Sequence, residues 1–516
     1  MLDKESKKFQ ALESFLKSDL VEEDYKQRKP DEYKIIKKYP LRPPFTYANI
    51  LYNEASSDYL YWVDELKLSH EEERIYENLY HLIEESLDSP EKIKDESDFK
   101  AHLNKVIKEH EKMFFTNNMV GIEKVKYYLQ RDIAGYGIID GIMHDTDIED
   151  ISCSGVGEPI YIWHRKYDSI PTNVQFNSSE KLDSFIAKTV FKAGKHISTA
   201  HPISDLALEG NHRLSVLYQT EITPKGTSFT IRKFREDPYT VIDLIDLGTI
   251  DIPIAAYLWM LIEAKLSLII IGSTGSGKTT LLNAITGLAN PNHKIFSVED
   301  VAEINIDHKN WFTLVSRSGF GTGGEGEIGL YDLIRAGVRH RPDYIIVGEI
   351  RGSEAYVMFQ AMATGHGGLC TMHADSLNSA IKRLEQKPMD IPPSYIPLMN
   401  CAITVRRVKV DSSRWMTRKT VEITEIVSST ESHAVFAWNP KTDYFKDEVK
   451  QSILFERIAT STGQGMDEIL EDYNKRIKIL QWMFEHDIHN YKETTKIIGQ
   501  YYREPKQVMQ KIESEA

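Results

Sequence analysis

The chain has 516 residues, a formal net charge of -14 and three cysteines. That length exceeds one ordinary domain and predicts two to four, with ample material for a core. The acidic balance gives no general attraction to phosphate backbones, so no nucleic acid partner is expected. Cys153, Cys370 and Cys401 lie too far apart for a disulfide framework or a CxxC zinc pair, and a reducing cytosolic compartment fits them.

The N-terminus is charged from Lys4 onward and has no apolar core followed by a small-residue cleavage site, so the protein is expected to stay inside the cell. Residues 1–50 mix charges with scattered apolar side chains and reach Tyr39-Pro40-Leu41-Arg42-Pro43-Pro44, where the prolines argue against regular structure. This segment is read as a mobile arm, and its Lys7, Lys8, Lys17, Lys26, Arg28 and Lys29 offer either a partner contact or a solvated tail.

From Ser69 to Leu129 apolar residues recur at helical spacing (Ile75, Leu79, Leu82, Ile83, then Leu103, Ile107, Phe114), which predicts a small helical bundle. Short β-rich runs follow at Ile148–Cys153 and Ile160–Trp163. Two more, Arg213–Tyr218 and Ser228–Lys233, are bridged by Thr223-Pro224-Lys225-Gly226, so an α+β domain closes the first half. Polar residues and a proline at Arg235-Glu236-Asp237-Pro238 mark a boundary. The expected organisation is therefore an arm over 1–50, a helical and α+β domain over 51–236, and a third region over 237–516 that ends in amphipathic helices.

In that last region apolar strands at 266–271, 294–298 and 344–348 alternate with helical segments, predicting an α/β fold with a parallel-rich sheet. Ile252–Ile271 is apolar but carries Glu263 and Lys265 near its middle, which a bilayer disfavours, so it reads as helix, turn and core strand. The strand opens directly into Gly272-Ser273-Thr274-Gly275-Ser276-Gly277-Lys278-Thr279-Thr280, a complete G-x-x-x-x-G-K-[ST] loop. Glycines let backbone N–H groups close around phosphate oxygens, Lys278 can reach the β and γ phosphates, and the Thr279 hydroxyl can ligate Mg²⁺. The helix that follows turns its positive end to the anion. ATP and Mg are the cofactors this pattern calls for.

Two later strands end in acids: Glu299-Asp300 with Glu303 close by, and Glu349 after Tyr344–Gly348. Strand ends are where α/β sheets present catalytic groups. Glu299, directly off its strand, suits activation of the attacking water, and Glu349 suits a Walker B acid that holds Mg²⁺ through water. His366 and His373 flank a further apolar stretch; each fits a γ-phosphate contact or a buried structural role. The loop Gly319–Gly329 is glycine-rich but lacks the terminal Lys of a phosphate loop, so it is read as a mobile loop and not a second nucleotide site.

The set Gly272–Thr280, Phe296–Glu303, Arg339–Gly352 with its Arg-Pro-Asp and Gly-Glu-Ile-Arg-Gly, and Gly365–His373 resembles the type II and type IV secretion ATPase superfamily, where these are the Walker A, Asp box, Walker B and His box. The wording Gly348-Glu349-Ile350-Arg351-Gly352-Ser353-Glu354-Ala355-Tyr356, with Thr371–Ser376, looks most like the archaeal branch of archaellum motor and assembly ATPases. The resemblance covers roughly 130–430. It implies a RecA-like ATPase core and catalytic places for Glu299, Glu349, His366 and His373. It also implies a homo-hexamer in which arginines of the preceding domain, here Arg213 and Arg232, complete the nucleotide site. The implied partners are a polytopic membrane platform protein and other motor components of the filament machine, reached from the cytoplasm at the membrane periphery. The CxxC zinc module that many bacterial relatives carry is lacking here. An adhesive-pilus or secretion ATPase, a RecA-like nucleic-acid motor and a non-hydrolysing scaffold remain as alternatives.

Overall fold

A computed structural model describes residues 30–86, 96–110, 119–235, 237–317, 326–410 and 416–515. The basic residues of the arm, Phe114 and most of the glycine-rich loop lie outside these. The chain divides into two compact units, Met1–Phe234 and Arg235–Ala516.

The first unit is built on a nine-stranded sheet. Its strands are β1 (Lys34–Arg42), β2 (Thr46–Asn53), β3 (Asp58–Glu65), β4 (Ile148–Cys153), β5 (Pro159–His164), β6 (Asp168–Gln175), β7 (Ile203–Ala207), β8 (Arg213–Leu217) and β9 (Ser228–Arg232), in the order β1-β2-β3-β6-β5-β4-β9-β8-β7. Apolar residues at every second position, such as Leu214 and Val216 on β8 and Phe229 and Ile231 on β9, turn one face inward. Helices His70–Ser86, Glu96–Glu109 and Met119–Leu129 enclose Leu79, Ile83, Phe99, Leu103, Val106, Val125 and Leu129. The bundle therefore forms where the spacing predicts it.

Part of the supposed arm is strand. β1 tolerates Pro40, opposite Tyr47, because it lies at the sheet edge, where a missing N–H breaks no inner ladder. The burial of Ile50 and Leu51 on β2 anchors the segment.

The second unit holds the second nine-stranded sheet: β10 (Leu268–Ile271), β11 (Ile295–Glu299), β12 (Trp311–Val315), β13 (Tyr344–Val347), β14 (Gly367–Met372), β15 (Cys401–Lys409), β16 (Met416–Ile426), β17 (Ser432–Asn439) and β18 (Tyr444–Asp447). The order is β12-β11-β13-β14-β10-β15-β16-β17-β18. All pairings from β12 to β15 are parallel, and those from β15 to β18 are antiparallel. The central strands are buried on both faces, as parallel strands covered by helices must be.

Alternate residues feed two cores. Leu268 and Ile270 enter the one shared with helix Ile252–Glu263 and the C-terminal helices, whereas Ile269 and Ile271 enter the one shared with helices Leu330–Val338, Glu354–Ala363 and Leu377–Glu385. Helix Ile252–Glu263 is buried all round from Ile254 to Ile262, and Glu263 at its end is paired with Arg476. Among the described residues no helix is long and apolar enough to cross a membrane.

The antiparallel extension β15–β18 is a departure from the alternating pattern expected over this region. Its strand β16 is tied to helix Ile252–Glu263 and to the first C-terminal helix by buried Glu425, which accepts from the Tyr257 hydroxyl at 2.6 Å and from the Ile453 N–H at 2.8 Å.

Candidate functional site

The phosphate loop joins β10 to helix Lys278–Thr286. Gly275 (φ 72°) and Gly277 (φ 94°) take left-handed conformations that side chains resist. Ser276 Oγ donates to Ser273 O at 2.8 Å and Lys278 Nζ donates to the same carbonyl at 2.9 Å, drawing the loop into a closed crown. Gly272 is confined by its neighbours: a Cβ there would stand 2.3 Å from Val405 O and 2.6 Å from Ser276 Oγ. Because a backbone carbonyl cannot swing away, Gly272→Ala is expected to cost about 1–3 kcal/mol and to prise the loop from β15. Urea unfolding read beside MgADP affinity checks this, and unchanged values in both would refute it.

Parallel strands carry the acids to the same end of the sheet as this loop. Glu299, the last residue of β11, is 2% exposed. Its Oε1 accepts from the N–H groups of Glu303 and Ile304, both at 2.9 Å, while Oε2 has no hydrogen-bond partner among the described residues. Gly348 makes room for it, since a Cβ there would meet Glu299 Cγ at 3.1 Å. Burial pushes the carboxyl pKa up to about 7, against the partial relief of the two N–H bonds. Asn283, on the phosphate-loop helix, fastens this segment: its amide donates to Glu303 O at 3.1 Å and accepts from Asn305 N–H at 3.0 Å.

Glu349 follows β13, and His373 follows β14. His373 lies between Lys278 Nζ, 3.4 Å from Nδ1, and Glu349 Oε1, 3.4 Å from Nε2. An ammonium can only donate, so Nδ1 accepts and the ring proton sits on Nε2, facing the carboxylate. Burial, with Lys278 adding to it, lowers the His373 pKa and favours this neutral tautomer. Burial likewise lowers the Lys278 pKa, while Glu349 and Glu303 pull it back up. The Arg383 side chain donates to the His373 carbonyl and holds the turn.

His366 is not brought into this cluster. It precedes β14, whereas His373 follows it, so the two are about 20 Å apart along the strand direction. Its Nδ1 lies 3.0 Å from Ala361 O and 3.1 Å from Thr364 Oγ1, contacts that close the end of the preceding helix. Within this chain His366 thus sits at a helix end, apart from Lys278 and Glu349.

Arg213 and Arg232 belong to the first unit, directly opposite each other on β8 and β9. Arg232 Nε lies 3.3 Å from Asp150, and Arg213 lies 4.0 Å from Asp205. Spacing rules did not reveal Arg418 on β16, whose Nε donates to Gly275 O at 3.1 Å; only the pairing of β16 with β15 brings it there.

Among the described residues no group of three or more His, Cys, Asp and Glu could hold a metal by itself. The Thr279 hydroxyl and Glu349 carboxylate are nonetheless hard oxygen donors of the kind Mg²⁺ shares with phosphate and water, so the donor set fits.

A phosphate loop on a parallel sheet, with acids at neighbouring strand ends, defines a P-loop α/β protein. Residues 161–417 match the family model for type II/IV secretion system proteins. The uncharacterized protein MJ0900 of Methanocaldococcus jannaschii is 37% identical over 402 residues, covering 75% of this chain and 72% of that protein. The type IV secretion system protein PtlH of Bordetella pertussis is 30% identical over 273 residues, 47% of this chain and 78% of that one. In structure, the pilus retraction motor PilT with bound ADP matches 64% of this chain and 93% of that chain at 17% identity, with a TM-score of 0.39. The chain belongs to the type II/IV secretion system protein family.

Proposed function

We propose that the chain is a Mg-ATP-hydrolysing motor, working as a homo-hexamer, that assembles and rotates an archaellum or a type IV pilus-like filament through a polytopic membrane platform protein. The observation that carries the ATPase reading is Glu299. It is a buried carboxyl with one oxygen fixed by two backbone N–H groups and the other without a partner among the described residues, at the sheet end that also bears the phosphate loop. The filament role rests on the family resemblance in the sequence and on the membership reported above.

In this reading the backbone N–H groups of Gly272–Thr280 cradle the phosphates and Lys278 holds the β and γ oxygens. Thr279 and, through water, Glu349 would hold Mg²⁺, which would supply neutralisation of phosphate charge. Glu299 Oε2 takes a proton from water as the water oxygen attacks the γ phosphorus and ADP departs. His373 links Lys278 to Glu349 and keeps both in register. Arg213 and Arg232 act on the nucleotide of a neighbouring subunit.

The test is phosphate release per milligram across a wide protein concentration range with MgATP, native mass being followed in parallel. Specific activity should climb as the hexamer appears; flat activity from a monomer would sink the ring. Lys278→Ala should weaken MgATP binding by about 10- to 100-fold, the worth of a hydrogen bond to a charged group.

A further inference from the structure

β10 stops at Ile271, paired with Thr404, but its neighbour β15 runs on through Val405 to Lys409. The overhang lies along the phosphate loop, which is why a Cβ on Gly272 would collide with Val405 O. β16 returns antiparallel to it with Arg407 directly opposite Arg418. Opposed residues share a face. Arg418 also touches the loop itself: its Nε donates to Gly275 O at 3.1 Å, and its Cδ lies 3.2 Å from where a Gly277 Cβ would be. Lys278, by contrast, binds Ser273 O and neighbours His373 and Glu349. The loop is therefore approached by two separate sets of charges.

We propose that Arg418, with Arg407 beside it, binds the diphosphate portion that ADP and ATP share, acting within its own chain. The inference rests on the nucleotide reading given above and assigns one further binding residue to that site. Because Arg418 is at the crown glycines and not in the Lys278–His373–Glu349 cluster, it serves binding and not the hydrolytic step.

The test uses the full chain, titrated calorimetrically with MgADP and with a non-hydrolysable MgATP analogue. Arg418→Ala should weaken both by a similar factor, about 10- to 100-fold. The KM for ATP should rise by that factor while kcat falls far less. Arg418→Lys, which keeps the charge but loses the Nε bond to Gly275, should recover part of the affinity, an outcome that mere propping of the loop would not produce. Affinities within about twofold of wild type for both nucleotides, or a loss confined to kcat, would overturn the proposal. Should Arg418→Ala not fold, Arg418→Gln set against Arg418→Lys makes the same comparison, and equal affinities would overturn it. Wild-type protein that binds no MgADP at all would bring down the nucleotide reading itself, a result distinct from a silent Arg418.

Discussion

Glu299→Gln is expected to lower phosphate release by about 10²- to 10⁴-fold while MgADP still binds, because the amide fills the same space but cannot take a proton. The pH dependence separates this from a packing defect. The Glu299 carboxyl is raised to about 7 by burial, against 4.5 for an ordinary Glu side chain. A carboxyl raised in the folded state contributes stability that is present below about 4.5 and is lost as pH rises through about 7. The carboxylate is then charged inside the fold at a cost of about 3 kcal/mol. The glutamine variant carries no such charge. Its stability relative to wild type should therefore grow by about 3 kcal/mol between pH 4 and pH 8, with most of the change between 4.5 and 7. Wild-type kcat/KM should rise through pH 7 and the variant's residual activity should stay flat. Chemical denaturation and phosphate release at a series of pH values measure both. A parallel stability profile for the two proteins would show that Glu299 does not titrate in this range, and undiminished turnover would remove it from the reaction.

The second large effect is expected at Arg232. An arginine that reaches a transferring phosphate from a neighbouring subunit is worth about 10³ to 10⁵ in turnover, so Arg232→Ala should reduce phosphate release on that scale in an intact ring. Asp150 engages Nε and thereby orients the guanidinium by one edge, while Arg213 opposite adds positive potential on the same face. Mixing identifies whose site the arginine serves. Arg232→Ala subunits keep their phosphate loops and Lys278→Ala subunits keep their arginines. Combined rings should therefore regain activity at the junctions where an intact loop meets an intact arginine. Failure to regain any would mean that the arginine acts within its own chain, and wild-type turnover by Arg232→Ala alone would exclude it altogether.

Several features of the site can be read directly from residue order. The phosphate loop is legible because its chemistry needs consecutive residues: glycines at positive φ, then Lys278 and Thr279 at the opening of a helix. The acids at 299 and 349 are legible for a related reason, since an apolar run buried on both faces must end where the chain returns to water, and a carboxylate there marks the strand's carboxyl end. The bundle helices betray themselves by periodicity. Other features were hidden. Pro40 suggested a break, yet an edge strand loses nothing by lacking that N–H. The extension β15–β18 was missed because strands such as Met416–Ile426 mix charged and polar residues with β-branched ones, which blurs their period even though Ser428-Ser429-Thr430 and Asn439-Pro440 punctuate the gaps. His366 and His373 looked equivalent because both flank one apolar stretch.

Sequence by itself thus determined the phosphate-loop pattern, the strands that support it and the acids that end them, because each is a local pattern of a few consecutive residues. Tertiary structure alone decided that His373 joins Lys278 and Glu349 while His366 stays at the far end of β14, since a strand carries its two ends in opposite directions. Tertiary structure also decided that Arg418, 140 positions beyond Lys278, stands at the crown of the loop. Its place depends on the register of β16 against β15 and of β15 against β10, and pairings between distant segments leave no trace in the order of residues.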